Sequence, residues 1–178
     1  MLRAPMRDAE LRIEPATEGH REPLRAACAE DERIWDIYPI SFLDGHFDRN
    51  FDAMVRTERE IPFVFFADDR LVGMSSFLAV NQADLTIEIG RTYLIPSVRG
   101  TGLNRRIKTL MLDRAFAEGF QRVTFKVDTR NTRSMAAVRK LGATHEGIVR
   151  KDRITWTGYV RDTAIFSILA EEWAELRA

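Results

Sequence analysis

Residues 97–108 read Ser-Val-Arg-Gly-Thr-Gly-Leu-Asn-Arg-Arg-Ile-Lys (SVRGTGLNRRIK) and join an apolar segment to a helical pattern. A loop that opens a helix presents backbone N–H groups that have no partner within the helix, and the helix dipole adds partial positive charge there. Gly100 and Gly102 leave room for a ligand to approach the backbone, and the basic residues nearby add positive charge. The stretch therefore predicts an anion site that suits phosphate.

Two familiar phosphate-binding patterns do not fit this loop. The GxxxxGK[ST] pattern does not occur, and the segment GTGLNR lacks the third glycine of GxGxxG. The alternative is a helix that merely begins after a glycine turn.

The remaining periodicity predicts an α/β (α+β) chain that forms one domain over residues 1–178. The element order is β-α-α-β-β-β-α-β-α-β-β, which gives a mixed sheet with helices on both faces. The expected strands are 11–15, 62–67, 71–80, 85–95, 122–127, 143–150 and 159–169. The expected helices are 17–30, 42–58, 101–118 and 131–141, followed by a helical tail over 170–178.

Composition restricts the class of protein further. The chain of 178 residues is 45% hydrophobic and 30% charged, and its 27 basic and 27 acidic side chains balance. This balance argues against a general nucleic-acid binder. One cysteine and three histidines make a metal site improbable, and the single cysteine favours a cytoplasmic location. The first residues do not read as a secretory signal, and no later stretch is long enough to span a membrane.

The central loop and a downstream segment together resemble the GNAT acyltransferase superfamily. Residues 93–102, YLIPSVRGTG, resemble the Arg/Gln-x-x-Gly-x-Gly/Ala signature that follows a strand, although Asn104 stands where a final glycine or alanine is usual. Residues 131–154, NTRSMAAVRKLGATHEGIVRKDRI, resemble the Asn-x-x-Ser…Leu-Gly-Ala…Glu-Gly pattern of the RimJ/RimL-like branch. The resemblance covers residues 11–173 and implies a mostly antiparallel central sheet of about seven strands, two of which splay apart at the cofactor site.

The resemblance also implies acetyl-CoA as cosubstrate, with no metal. Its pyrophosphate would lie on the backbone of Arg99, Gly100, Thr101, Gly102, Leu103 and Asn104, with Lys108 close by. Its pantetheine arm would pair with the backbone of Leu94 and Ile95, in the manner of an added strand, and would contact Asn131. Asn131 is also in the right place to cap a helix.

Two residues are candidates for the chemistry of an amine attacking a thioester. Glu88 lies on the strand before the loop, where many GNAT enzymes carry an acidic base, but it could equally face solvent or pair with an arginine. The tyrosine that often protonates the departing thiolate is replaced by Val138. Ser134, three residues after Asn131, could donate to the thiolate instead, or could bond only to its own helix.

The acceptor site is expected near residues 31–39, DERIWDIYP. Trp35 and Tyr38, together with acidic neighbours and Glu88, would suit a cationic amine, although a packed surface loop explains the segment as well. We therefore expect an N-acetyltransferase acting on a protein N-terminal amine or a small-molecule amine. The alternative is an inactive CoA-binding sensor or subunit. A homodimer is also an open hypothesis. It rests on Phe63, Phe65 and Phe66, which supply more apolar surface than one face of the sheet is expected to bury.

Overall fold

A computed structural model describes residues 1–177, so that only Ala178, at the end of the predicted helical tail, lies outside it. The strands are β1 (Met6–Asp8), β2 (Leu11–Pro15), β3 (Glu60–Ala67), β4 (Arg70–Asn81), β5 (Thr86–Leu94), β6 (Arg122–Asp128), β7 (Thr144–Ile154) and β8 (Val160–Leu169). The α-helices are α1 (Arg21–Ala29), α2 (Phe47–Arg56), α3 (Leu103–Ala117), α4 (Thr132–Lys140) and α5 (Ala170–Arg177).

The strands form one sheet in the order β1-β2-β3-β4-β5-β6-β8-β7. All neighbours are antiparallel except β5 and β6, which are parallel and are joined through α3. The predicted mixed, mostly antiparallel sheet with flanking helices is confirmed. The sheet has eight strands instead of about seven because residues 6–8 pair with β2 at the edge. Among the described residues, no helix has the length and apolar character needed to cross a bilayer.

The parallel pair β5/β6 separates soon after it begins. Its register runs only from Thr86 opposite Arg122 to Glu88 opposite Thr124, and the pairing recorded between the two strands stops there. On its other side β5 carries one extra residue, because Ser76 of β4 pairs with Gly90 whereas Met74 pairs with Tyr93. Arg91 within this bulge has a φ of +55°. The bulge bends β5 away from β6 and opens a cleft between them.

Side chains of β6 alternate between the two faces of the sheet. Phe125 lies on the α3 face, since Lys108 Nζ of α3 is 5.9 Å from the centre of its ring. Lys126 and Asp128 therefore project from the opposite face. On that face the hydroxyl of Tyr93 reaches α1 and donates to the carbonyl oxygen of Ala27 at 2.7 Å. The cleft thus has an α3 face and an α1 face.

Two segments differ from the sequence prediction. The second helix begins at Phe47 instead of residue 42, because local hydrogen bonds hold the chain before it: Ser41 Oγ accepts from the N–H of Leu43 at 3.2 Å, and the Ser41 carbonyl accepts from Asn50 Nδ2 at 2.6 Å. The loop over 31–39 contains a 3₁₀ turn at Glu32–Ile37, which Asp31 caps by accepting from the N–H of Ile34 at 3.3 Å.

The phenylalanines of β3 belong to the core of the chain. Phe63 and Phe65 have no accessible surface, and Phe66 packs partly buried against the same core. The apolar surface that suggested a homodimer is therefore covered within the chain, and this reason for expecting a dimer is wrong.

Candidate active site

The cleft between β5 and β6 has a volume of about 890 Å³. Its walls come from both strands, from the start of α3, from α4, and from the 3₁₀ segment between α1 and α2, which ends near Tyr38. Residues of the β7–β8 hairpin complete the wall. The hairpin is held against the 3₁₀ segment because Trp156 donates from its backbone N–H to the Pro39 carbonyl at 3.2 Å and from Nε1 to the Trp35 carbonyl at 2.8 Å.

The loop at the start of α3 has the backbone that the sequence indicates. Gly100 and Gly102 adopt φ values of +81° and +89°, a conformation that side chains with a Cβ rarely adopt, and no heavy atom lies within 4 Å of where a Cβ would be. Gly102 is the N-cap of α3 and offers no side chain to cap it. Thr101 fixes the turn by donating from Oγ1 to the Val98 carbonyl at 2.8 Å. The loop therefore presents an open helix N-terminus to the cleft.

Arg99 ties this loop to the rest of the site. Its Nε donates to the Leu94 carbonyl at 2.8 Å, and its NH1 forms an ion pair with Asp31. The guanidinium also lies 5.7 Å from the ring centre of Tyr93. Arg99 thus joins the end of β5 to the 3₁₀ segment, while it still lines the cleft.

The two residues predicted to pair with a pantetheine arm lie differently. Leu94 lines the cleft, although Arg99 already uses its carbonyl group. The N–H of Ile95 donates to the Val72 carbonyl at 2.9 Å, and the side chain of Ile95 is fully buried. The prediction for Ile95 is wrong because the alternation of the strand turns its peptide towards β4.

Lys108 does not reach the phosphate loop. Its side chain lies beneath the cleft, where Nζ bonds Thr92 Oγ1 and lies 3.4 Å from Ser75 Oγ. Ser75 in turn bonds the Gly90 carbonyl at 2.9 Å and Thr92 Oγ1 at 2.8 Å. Burial lowers the pKa of Lys108 to about 7, so the amine is only partly charged near neutral pH. The predicted contact of Lys108 with phosphate does not fit this position.

Asn104 lies one turn before Lys108 on the same side of α3 and lines the cleft. Its Oδ1 is buried and has no hydrogen-bond partner among residues 1–177. A buried acceptor without a donor is costly. This atom fits the N–H donor of a ligand bound in the cleft.

Asn131 and Ser134 lie together at the start of α4. Asn131 is the N-cap, and its Oδ1 accepts from the N–H of Ser134 at 3.0 Å. Both residues line the cleft, as does the buried Val138 one turn further on. The structure therefore places Ser134, the predicted hydrogen-bond donor to the departing thiolate, on the wall opposite β5.

Glu88 lines the cleft and is 14% exposed. Its Oε2 lies 3.0 Å from Nζ of Lys126, which projects from β6 on the α1 face. The predicted base is thus a paired carboxylate on the face of the sheet opposite the phosphate loop.

Of the two aromatic residues predicted to bind the acceptor, only Tyr38 lines the cleft. Its hydroxyl donates to the Thr92 carbonyl, and burial raises its pKa above the usual range. Trp35 is fully buried, stacks on Tyr93 with ring centres 4.9 Å apart, and donates from Nε1 to the Cys28 carbonyl at 3.1 Å. The prediction that Trp35 contacts substrate is wrong because the 3₁₀ turn points this side chain into the core.

Several cleft residues were missed from the sequence. Thr92 and Ser75 carry the hydroxyl groups below the cleft, and Arg161 of β8 is a buried guanidinium on its wall. Their common signal is a polar or charged side chain within a strand. That signal does not tell which face the side chain takes, so the sequence alone could not place them. Arg153 of β7 also lies on the wall.

A splayed parallel strand pair that leads into a glycine-capped helix defines a class of acyltransferase. A model of the acetyltransferase (GNAT) family matches residues 30–143, which is more than half of the chain. The chain belongs to this family, and it is an acyltransferase that carries out acetyl transfer.

Solved structures agree with this assignment. A probable acetyltransferase (GNAT family) from Chromobacterium violaceum is 28% identical, with a TM-score of 0.90 over 97% of this chain and 89% of that one. The microcin C7 self immunity acetyltransferase MccE, in complex with acetyl-CoA and AMP, is 18% identical, with a TM-score of 0.81 over 91% and 93%. The ribosomal-protein-S5-alanine acetyltransferase from Vibrio fischeri is 16% identical, with a TM-score of 0.77 over 96% and 98%. The last two share the fold. No curated protein sequence matches the chain significantly.

Proposed function

We propose that this chain is an N-acetyltransferase that transfers the acetyl group of acetyl-CoA to a primary amine. The observation that carries the proposal is the parallel pair β5/β6, which separates after Glu88 and opens onto the glycine-capped start of α3. The orphaned Oδ1 of Asn104 supports a ligand with an N–H donor in this cleft, and the amide groups of a pantetheine arm supply such donors.

Separate groups of residues would bind the cosubstrate and act on the acceptor. The N–H groups of Gly100, Thr101, Gly102 and Asn104 would hold the pyrophosphate, because they lie at a helix N-terminus with open space beside both glycines. The N–H of Leu103 already donates to Thr101 Oγ1 at 3.4 Å. Leu94 and Asn131 would flank the pantetheine arm from the two walls of the cleft. Acetyl-CoA, when bound, supplies an acetyl group already activated as a thioester.

Glu88 would take the proton that the acceptor ammonium must lose before its nitrogen attacks. Its carboxylate lines the cleft, with Oε2 3.0 Å from Nζ of Lys126. Ser134 would donate from its hydroxyl to the departing sulfur, since it lies on the α4 wall within the same cleft. Positioning of the two reactants in one cleft supplies much of the remaining rate.

The sequence pattern of residues 131–154 supports a place in the RimJ/RimL-like branch, and the acceptor would be a protein N-terminal amine or a small-molecule amine. A cytoplasmic location is consistent with the single, buried cysteine.

The test is release of free CoA thiol from acetyl-CoA in the presence of a panel of amines and N-terminal peptides, with acetyl-CoA binding followed by calorimetry. We expect binding and amine-dependent thiol release. Binding without release on a broad panel would favour the inactive CoA-binding module, and absence of binding would refute the proposed site.

A further inference from the structure

Arg161 is a buried cation whose charge the protein does not fully use. Its side chain is 5% exposed, and it is the second residue of strand β8, next to the cleft. Nε donates to Thr163 Oγ1 at 2.9 Å. Among residues 1–177 this is the one hydrogen bond that the Arg161 side chain donates, and its terminal amino groups keep accessible surface at the cleft wall. A buried charge is costly unless it is paired and hydrogen-bonded, and the carboxylate nearest to this guanidinium, that of Asp128, is 4.0 Å from Nε.

The carboxylates near Arg161 are occupied by other groups. Asp128 accepts from Arg130 Nε at 3.0 Å and from Arg130 NH2 at 2.8 Å, and it lies 4.0 Å from Arg161. Asp152 accepts from Thr163 Oγ1 at 2.8 Å. Arg153, which pairs with Arg161 across the β7–β8 ladder, adds a second positive charge. Burial lowers the pKa of Arg161, and repulsion from Arg153 lowers it further.

The whole cleft shows the same surplus of positive charge. In the part of the chain that the structure describes, the acidic side chains on the cleft wall each have a cation of their own. The pairs are Glu60 with Arg91 at 2.7 Å, Glu88 with Lys126 at 3.0 Å, and Asp128 with Arg130 at 2.8 Å. The wall carries more cations than these three pairs use. Arg161 has a carboxylate only at 4.0 Å, and Arg153 lies 3.5 Å from Asp152, which also accepts from Thr163 Oγ1.

This surplus lies on the acceptor side of the sheet. Asp128 is paired with Thr163 across the β6–β8 ladder, so the two side chains share a face, and Arg161 contacts both of them. That face is the α1 face, which also carries Lys126 and Glu88. The phosphate loop opens from α3, on the other face. A phosphate held by the loop would therefore not neutralise Arg161.

We propose that the amine acceptor carries an anionic group, a carboxylate or a phosphate, which binds the terminal amino groups of Arg161 with support from Arg153. This inference rests on the proposed function and narrows its substrate class to amines of amino-acid or phospho-amine type. A guanidinium suits both anions because its two terminal amino groups match two oxygens. A polyamine would place further positive charge beside Arg153 and Arg161. This reverses the expectation of a cationic acceptor. Of the acidic residues in the segment 31–39, Asp31 is already paired with Arg99.

The experiment compares acceptors that differ only in the anion. Probes are the common α-amino acids against their carboxamides, phosphoethanolamine against ethanolamine, and spermidine as a cationic reference. We expect kcat/KM to be about 10- to 100-fold higher for the anionic member of at least one pair, the range expected for a charged hydrogen-bonded contact. Amino acids against their carboxamides test for a carboxylate, and phosphoethanolamine against ethanolamine tests for a phosphate. Equal or higher kcat/KM for the neutral or cationic probes throughout would overturn the inference.

Variants test whether Arg161 causes the preference for an anionic acceptor. Arg161→Gln should remove the preference for the anionic probe and leave the KM for acetyl-CoA unchanged, whereas Arg161→Lys should keep part of the preference. Arg150→Gln, an exposed arginine on β7 outside the cleft, is the matched control and should behave as wild type. A preference that survives in folded Arg161→Gln would assign the anion site elsewhere and refute the role of Arg161.

A binding measurement covers the case in which none of these amines turns over. N-acetylated amino acids and their carboxamides are titrated into the wild-type chain with CoA present. Tighter binding of the carboxylates by tenfold or more supports the inference, and equal or no binding overturns it. Failure of the proposed function is distinct from both results, because it would appear as loss of acetyl-CoA binding itself.

Discussion

Lys108→Met is the sharpest test of the environment below the cleft. The amine is buried, and its only hydrogen-bond partners among the described residues are the hydroxyl groups of Thr92 and Ser75. Burial lowers its pKa from 10.5 to about 7. The unfolded chain keeps this proton up to about pH 10.5, whereas the folded chain releases it near pH 7. Between these values unfolding takes up a proton, so the stability of the wild type rises with pH.

The size of this effect follows from the pKa difference. One proton per molecule changes the free energy of unfolding by about 1.4 kcal/mol for each pH unit. Because about half of the folded molecules still hold the proton at pH 7, the rise from pH 7 to pH 9 is about 2 kcal/mol. For a chain of this size that rise corresponds to roughly 4–8 °C in Tm. Methionine has a similar length and no charge, and Thr92 can still donate to Ser75.

The assay is urea unfolding of wild type and Lys108→Met at pH 7, 8 and 9. We expect the wild type to gain about 2 kcal/mol relative to the variant across this range. Taking the difference between the two proteins cancels other titrating groups, such as Cys28. Lys140→Met, which removes an exposed lysine of α4, should follow the wild-type profile. Parallel profiles for wild type and Lys108→Met would refute the assignment of a depressed pKa to this amine.

Three further changes test the site and the core. Gly102→Glu should abolish acetyl-CoA binding, because a side chain and a negative charge would enter the open N-terminus of α3; unchanged calorimetric affinity in a folded variant would contradict the loop assignment. Glu88→Gln should lower turnover at neutral pH far more than acetyl-CoA affinity, and equal activity across a pH series would remove Glu88 from the chemistry. Trp35→Ala should cost about 3–5 kcal/mol in chemical unfolding by leaving a cavity against Tyr93. A raised acceptor KM without loss of stability would instead restore Trp35 to the acceptor site.

The elements with strong periodicity were predictable from the sequence. Strand 11–15 matches β2, and the helix expected over 101–118 matches α3 to within two residues at either end. Gly100 and Gly102 both have a positive φ, a conformation that favours glycine. These features depend on local chemistry, which the sequence states directly.

The direction of individual side chains was not predictable in the same way. Ile95 and Leu94 are adjacent, yet only Leu94 faces the cleft, and Trp35 turns inward from a loop that reads as exposed. Arg161 is one arginine in an otherwise ordinary strand pattern. It differs from other arginines because the nearby carboxylate, Asp128, forms its ion pair with Arg130 instead. Only the folded structure shows this contact.

The extra residue in β5 has a consequence for the whole molecule. On either side of Arg91, consecutive side chains keep their alternation, but the phase is shifted by one. Removing a single residue at this point would exchange the sides taken by Thr92 and Tyr93, sending the phenol towards α3 and the hydroxyl towards α1. The aromatic stack around Trp35 and the hydroxyl groups bonded to Lys108 therefore both depend on the number of residues between Gly90 and Tyr93. For this stretch, length constrains the molecule more tightly than the identity of any one side chain.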